Sequence, residues 1–248
     1  MEYLYDGTFD GLLTCLYEHV YTEKAEEIRP ERPDLQLSLG RQMHVKTDLA
    51  KSEKVAGAIE KKISPSALRR AYRAFLTAEE GKEMDVLRYV FLGFKLGRDV
   101  DKLHGSETVR RIDVLNHKVA WETDRMLGIL RFGIVQGPEG REVMYAPFEP
   151  NCDLLQMLMP HFLNRFRQDP FILHDVGREK AAFADCGEWA MRPLPKDFSP
   201  VYTPDEQQYQ ELWKNYFRTA AIQQRKNENL QKQFIPTRYW QYLTEMQG

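Results

Sequence analysis

Arg131, Glu149, His161 and Arg165 are the side chains in this sequence whose types and spacing come closest to chemistry. Arg131 sits in L-R-F, between apolar neighbours on an expected strand. An arginine there is a solvated edge charge, the partner of a buried acid, or an anion ligand. Glu149 closes the segment A-P-F-E-P, and His161 and Arg165 lie four apart in H-F-L-N-R-F, on one face of an expected helix. Glu149 and His161 are the candidate catalytic groups, because a carboxylate and an imidazole are the usual proton carriers of a hydrolase or transferase. Buried charges need partners, so the four residues define a single polar site only if they converge. Taken alone, His161 is more often a structural hydrogen-bonder than a catalyst.

A second concentration of chemistry lies near the C-terminus, in R-K-N-E-N-L-Q-K-Q-F-I-P-T-R-Y-W, residues 225–240. Between Leu212 and Trp240 the basic residues are Lys214, Arg218, Arg225, Lys226, Lys232 and Arg238, against the single acid Glu228. Trp213, Tyr216, Phe217, Phe234, Tyr239 and Trp240 are interleaved with them. Basic side chains that neutralise phosphates, among rings that stack on bases, are what a nucleic-acid surface needs. The six basic residues and Asn227 are therefore the candidate nucleic-acid contacts. The competing reading is structural. Trp213, Tyr216 and Phe217 follow helical spacing and are expected in the core, and Trp240 is expected to dock the tail with its ring buried against the long C-terminal helix. Lys61, Lys62, Arg69, Arg70 and Arg73 read as a solvated helix face.

Other signatures are absent from the sequence. No G-x-G-x-x-G follows a strand, and there is no phosphate-loop motif, H-E-x-x-H or G-x-S-x-G. The six histidines are scattered and none forms a local ligand pair, so no metal and no cofactor is expected. Cys15, Cys152 and Cys186 are an odd set without C-x-x-C spacing, which fits a reducing compartment better than a disulfide framework. A net charge of -2 excludes a polycation, so nucleic acid would meet a local patch. No apolar run approaches the ~20 residues that span a bilayer, and the N-terminus does not read as a signal peptide. The expectation is a cytoplasmic protein with no membrane partner.

The elements that must position these residues follow from periodicity. Residues 2–5 alternate as a strand, and Thr8 caps a helix to about Glu23 with Phe9, Leu12, Leu13, Leu16 and Val20 on its core face. Residues 24–34 read as a connection, and 35–46 as a second strand or hairpin arm. From Lys46 to Arg125 the pattern is helical: Ser64 caps one helix, Met84 to Phe94 mark another, and Val109 to Met126 a third. Strands are expected over 129–135 and 143–148, a helix from Leu154 to Phe166, three short strands in F-I-L-H-D, A-A-F-A-D and W-A-M-R, and a long helix opened by Pro204. Its apolar residues, Leu212 to Ile222, are expected to be buried, and Pro236 opens a last helical turn. The fold class is α+β: an antiparallel sheet in the C-terminal half flanked by helices, with a helical insert after an N-terminal strand-helix unit. The whole chain is expected to be one family domain, with a possible subdivision into a mainly helical 1–126 and a sheet-plus-helix 127–248.

Y-L-Y-D-G-T-F-D-G-L-L-T, R-Y-V-F-L-G-F-K-L-G, M-L-G-I-L-R-F, Y-A-P-F-E-P, P-H-F-L-N-R-F and the 225–245 segment occur in that order. Together they make the chain resemble a bacterial family of "probable DNA metabolism" proteins. That domain also occurs fused to uracil-DNA glycosylase domains, and its stand-alone form accompanies a DNA-repair radical SAM protein. The resemblance implies a DNA repair or DNA modification accessory protein that binds DNA and works with a radical SAM partner. Two alternatives stand beside it: an adaptor for that partner without DNA binding, and an enzyme using the Glu/His/Arg residues. The family's recurrent polar positions correspond to Asp6, Glu122, Arg125, Arg131, Glu149, His161, Arg165, Arg225, Asn227, Arg238, Tyr239 and Glu245. Asp124 departs from the pattern, standing where relatives commonly carry a histidine, which lowers the expectation of catalysis there.

Overall fold

The computed structural model describes residues 1–31, 40–222 and 227–247. The chain is α+β and divides into two compact units, Met1–Trp121 and Glu122–Gly248.

The first unit begins with β1 (Glu2–Tyr5), whose alternating side chains are nearly all buried. At its end the Asp6 carboxylate accepts from the Thr8 amide at 3.0 Å, the Thr8 hydroxyl at 2.7 Å and the Thr47 hydroxyl at 2.7 Å. Thr8 in turn caps α1 (Phe9–Tyr21) by accepting from the Gly11 amide. A Cβ at Gly11 would lie 2.3 Å from Asp6 Oδ1, so this close turn requires glycine. Burial alone would raise the Asp6 carboxyl, but the bonds from Thr8 and Thr47 outweigh it and hold it low.

β1 is the middle strand of a parallel three-stranded sheet, between β2 (Glu27–Pro30) and β3 (Gln42–His44). β2 corrects the expected connection over 24–34. Four residues, E-I-R-P, are too few to show a period, and it is pairing with β1 that makes them a strand. β3 falls in the expected hairpin arm but pairs parallel to β1, and residues 35–39 of that expectation lie outside the described residues. The helical stretch resolves into α2 (Leu49–Lys62), α3 (Pro65–Phe75), α4 (Lys82–Leu96) and α5 (Glu107–Ile129). Asp48 caps α2 and Ser64 caps α3. Tyr3, Leu12, Ile28, Ile59, Val90 and Ile112 belong to one core. Val20, expected on the core face of α1, is exposed, and so is Phe94 on α4.

The second unit is built on a five-stranded sheet in the order β4 (Gly133–Gln136), β5 (Glu142–Phe148), β6 (Phe171–Asp175), β7 (Lys180–Asp185) and β8 (Glu188–Pro193). The sheet is antiparallel except for the β5–β6 pair, which is parallel and joined through α6 (Leu155–Phe166). A parallel pair cannot be closed by a tight turn, so the connection is a crossover helix. Pro147 is tolerated in β5 because pairing with β4 ends at Tyr145. Cys186 and Gly187, both at positive φ, form the two-residue hairpin between β7 and β8. α6 lies on β6 and β7 and buries Leu155, Leu158, Met159 and Phe162.

Arg131 is not on a strand. α5 continues to Ile129 and β4 starts at Gly133, which leaves Arg131 in the connector. Helix-forming residues up to Ile129 carry α5 through Gly128, past Met126, the last residue that periodicity marked. The chain ends with α7 (Pro204–Ala220), the short α8 (Glu228–Phe234) and 3₁₀ turns at Thr237–Tyr242 and Thr244–Met246. Among the described residues no helix is long and apolar enough to cross a membrane.

Candidate functional site

Within the second unit the C-terminal turns are fastened by three carboxylates: Glu122 is buried, Glu245 half-buried and Glu149 exposed. Glu122, on the last turns of α5, is buried. It accepts from the Tyr239 hydroxyl at 2.6 Å, the Asn151 amide at 2.9 Å, the Cys152 amide at 2.8 Å and Arg238 at 3.2 Å. Burial pushes the Glu122 carboxyl up, but the Tyr239 bond and the two backbone bonds outweigh it, and the acid is held below its ordinary value. Tyr239 is buried, and burial together with its bond to Glu122 pushes its hydroxyl up to about 12. The Arg238 guanidinium lies 4.5 Å from the centre of the Tyr239 ring and donates to Asn151 Oδ1 at 2.8 Å.

The second carboxylate is Glu245. Arg131 donates to it at 2.7 Å and the Trp213 indole N–H at 3.1 Å. Burial opposes ionisation of Glu245, and the Arg131 bond prevails, so its carboxyl is lowered. The third is Glu149, which accepts from the Tyr242 hydroxyl at 2.9 Å. A Cβ at Gly177 would come 2.9 Å from Glu149 Cγ, so the glycine leaves room for that side chain.

The four residues expected to form one polar site are therefore used separately. Arg131 serves Glu245 and Glu149 serves Tyr242. His161 and Arg165 are exposed on α6, His161 edge-on to Phe162 and Arg165 over the Phe166 ring. No hydrogen bond or ion pair joins any two of Arg131, Glu149, His161 and Arg165. Among the described residues no group of three or more His, Cys, Asp or Glu is placed to hold a metal ion.

The expected nucleic-acid residues also divide. Arg238 is engaged by Glu122 and Asn151, and its side chain remains 44% exposed. Asn227 caps α8 by accepting from the Leu230 amide at 3.0 Å. Arg225 and Lys226 lie outside the described residues. Arg218 and Lys232 are exposed and Lys214 half-exposed, and none of the three has an acidic partner among the described residues.

Two expectations about the rings are overturned. No residue of α7 is buried: Trp213 is 42% exposed, Tyr216 61% and Phe217 37%. The ring that docks the tail is Tyr239, not Trp240, which is half-exposed and donates to the Ile235 carbonyl at 2.8 Å. Tyr239 carries a hydroxyl that reaches Glu122, and a buried carboxylate needs that donor. Sequence reasoning also passed over His174. It is fully buried in β6, shares a 2.7 Å hydrogen bond with the Tyr145 hydroxyl and has its Nε2 3.1 Å from the Leu194 carbonyl. Burial lowers its pKa and keeps it neutral. The available signal was a histidine inside the apolar run F-I-L-H-D.

An α+β chain whose polar positions mainly fasten its own C-terminal segment is the class that fold and site define. The model of a domain of unknown function, DUF4130, matches residues 80–245, and the chain belongs to that family. No curated protein matches it. Among solved structures, the pGpG-specific phosphodiesterase PggH from Vibrio cholerae aligns at a TM-score of 0.35 and 7% identity, over 86% of this chain and 97% of that one. A TM-score that low does not define a common fold.

Proposed function

We propose that this protein is a cytoplasmic DNA repair or DNA modification accessory factor that binds single-stranded nucleic acid along α7 and α8 and serves a radical SAM partner. The observation that carries the binding surface is the exposure of Trp213, Tyr216 and Phe217 beside Lys214 and Arg218 on α7, with Lys232 on α8. Rings in the core could not stack on bases, and these are open. Stacking is worth about 1–3 kcal/mol per base, and lysine and arginine beside the rings supply the phosphate contacts. The partner and the DNA repair setting rest on the family resemblance.

Fluorescent single- and double-stranded DNA titrated at two salt concentrations tests the surface. Three phosphate contacts give log K a slope near about -2 against log salt for single strands. The triple variant Lys214→Ala, Arg218→Ala, Lys232→Ala flattens that slope, and Tyr216→Ala weakens single-strand binding by about tenfold with little effect on folding. Absent or salt-independent binding would overturn the proposal. The adaptor reading is favoured by a different aspect of the same helix: Tyr209, Leu212, Trp213, Tyr216 and Phe217 form an apolar stripe that a protein partner would cover. A tight complex with the radical SAM protein and no DNA binding is its signature.

A further inference from the structure

The first unit carries an open groove of about 560 Å³ between α1, α2 and α4, remote in character from the C-terminal surface. Its floor is aliphatic, with Leu16, Val55, Ala58 and Val90. Tyr17 and Tyr21, tilted against each other with centroids 4.4 Å apart, stand on one side, and Phe91 and Phe94 on the other. Val20 and Tyr21 are largely exposed, at 54% and 70%. An amphipathic helix normally turns such residues inward, and α1 and α4 leave them in water.

The polar lining has one sign. Lys54, Lys62 and Lys95 border the groove, and no acidic side chain does. All three are exposed and none has an ion-pair partner among the described residues. Lys51, on the same helix as Lys54 and Lys62, is by contrast paired with Glu18.

We infer that this groove is a docking site for an amphipathic helix of a partner protein, with apolar anchors on one face and acidic residues flanking them. The spacing fits. Lys54 and Lys62 are eight residues apart on α2, about 12 Å along its axis, and anchors at i, i+3, i+4 and i+7 span about 10 Å. The charges fit as well, since three unpaired lysines around an apolar floor favour an acidic occupant and disfavour a basic one. A nucleic-acid strand fits less well, because the lining offers no Arg, Asn, Gln, Ser or Thr to meet base edges and much of the floor is aliphatic.

The test uses the full chain and a panel of helix-constrained peptides with leucine and phenylalanine at the four anchor positions. One set carries glutamate at the flanking positions and the other lysine, and binding is read by fluorescence anisotropy. The glutamate set binds at least about tenfold more tightly than the lysine set, and added salt narrows the gap. The triple variant Lys54→Glu, Lys62→Glu, Lys95→Glu reverses the order. Val20→Glu weakens the glutamate set while leaving the melting temperature unchanged, which separates loss of the site from loss of the fold. Equal affinity for both sets, no binding by either, or an oligothymidine probe whose binding the lysine reversal abolishes would overturn the inference.

Discussion

α6 and α7 carry the same kind of sequence and meet different ends. In α6 the apolar positions Leu155, Leu158, Met159 and Phe162 recur at helical spacing and all are buried. In α7 the positions Tyr209, Leu212, Trp213, Tyr216 and Phe217 recur in the same way and none is buried. The difference lies in connectivity. α6 joins β5 to β6, two strands paired in parallel, so the chain must carry it back across the sheet it covers. α7 is held at its start, where Thr203 caps it and Glu206 accepts from the Ile134 amide at 3.1 Å, and again where Trp213 reaches Glu245. An apolar period specifies a face, and the topology decides whether anything lies against it.

The comparison predicts unequal costs. Phe162→Ala, in the cluster with Phe132, Phe166 and Phe171, should destabilise by about 3–5 kcal/mol in urea unfolding. Phe217→Ala of similar size would break the contrast, because it would mean α7 is covered in solution. Tyr239→Phe keeps the ring and removes one donor to buried Glu122, and should cost about 1–3 kcal/mol. A neutral result would mean that the C-terminal turns are held by apolar contact and not by the carboxylate.

Acid sharpens the picture further. The carboxyls of Glu122 and Glu245 are lowered on folding, so their stabilisation is full above the unfolded value near ~4.3 and is lost as pH falls through their folded values. His174 is also lowered. The unfolded chain takes up its proton first, and stability begins to fall below about 6.5. A stability–pH curve should show both limbs, and Glu122→Gln should shrink only the lower one. The smallest effect is expected at Tyr216, where alanine should shift stability by less than about 0.5 kcal/mol.

Much of the frame was legible in the sequence, for reasons that particular residues make clear. Thr8 and Ser64 each accept from a backbone amide at a helix start, and capping chemistry is local enough to read without a structure. The α+β class and the mainly antiparallel C-terminal sheet follow from alternation between Val143 and Arg192. Pairing partners were not legible: nothing in E-I-R-P announces a parallel neighbour of β1, and nothing in Y-A-P-F announces one of β6. The site was legible as a set of residues and not as an arrangement. Glu122, Glu149, Glu245, Arg131 and Tyr239 stand among the polar positions the family resemblance picked out, but their use as fastenings depends on turns at the end of the chain that no period describes.

Glu122 and Tyr239 are separated by 117 residues, and that interval sets an order of events. During synthesis the carboxylate emerges long before its hydroxyl donor, and the whole five-stranded sheet lies between them. The β6–β7 and β7–β8 hairpins close over short loops and can form early, whereas the pairing of Glu122 with Tyr239 is among the most distant contacts in the chain and closes late. Until then the acid stays hydrated, because burying it without its donors is costly. The C-terminal turns thus report completion: the last part of the described chain to be made is the part that lets α5 bury its charge.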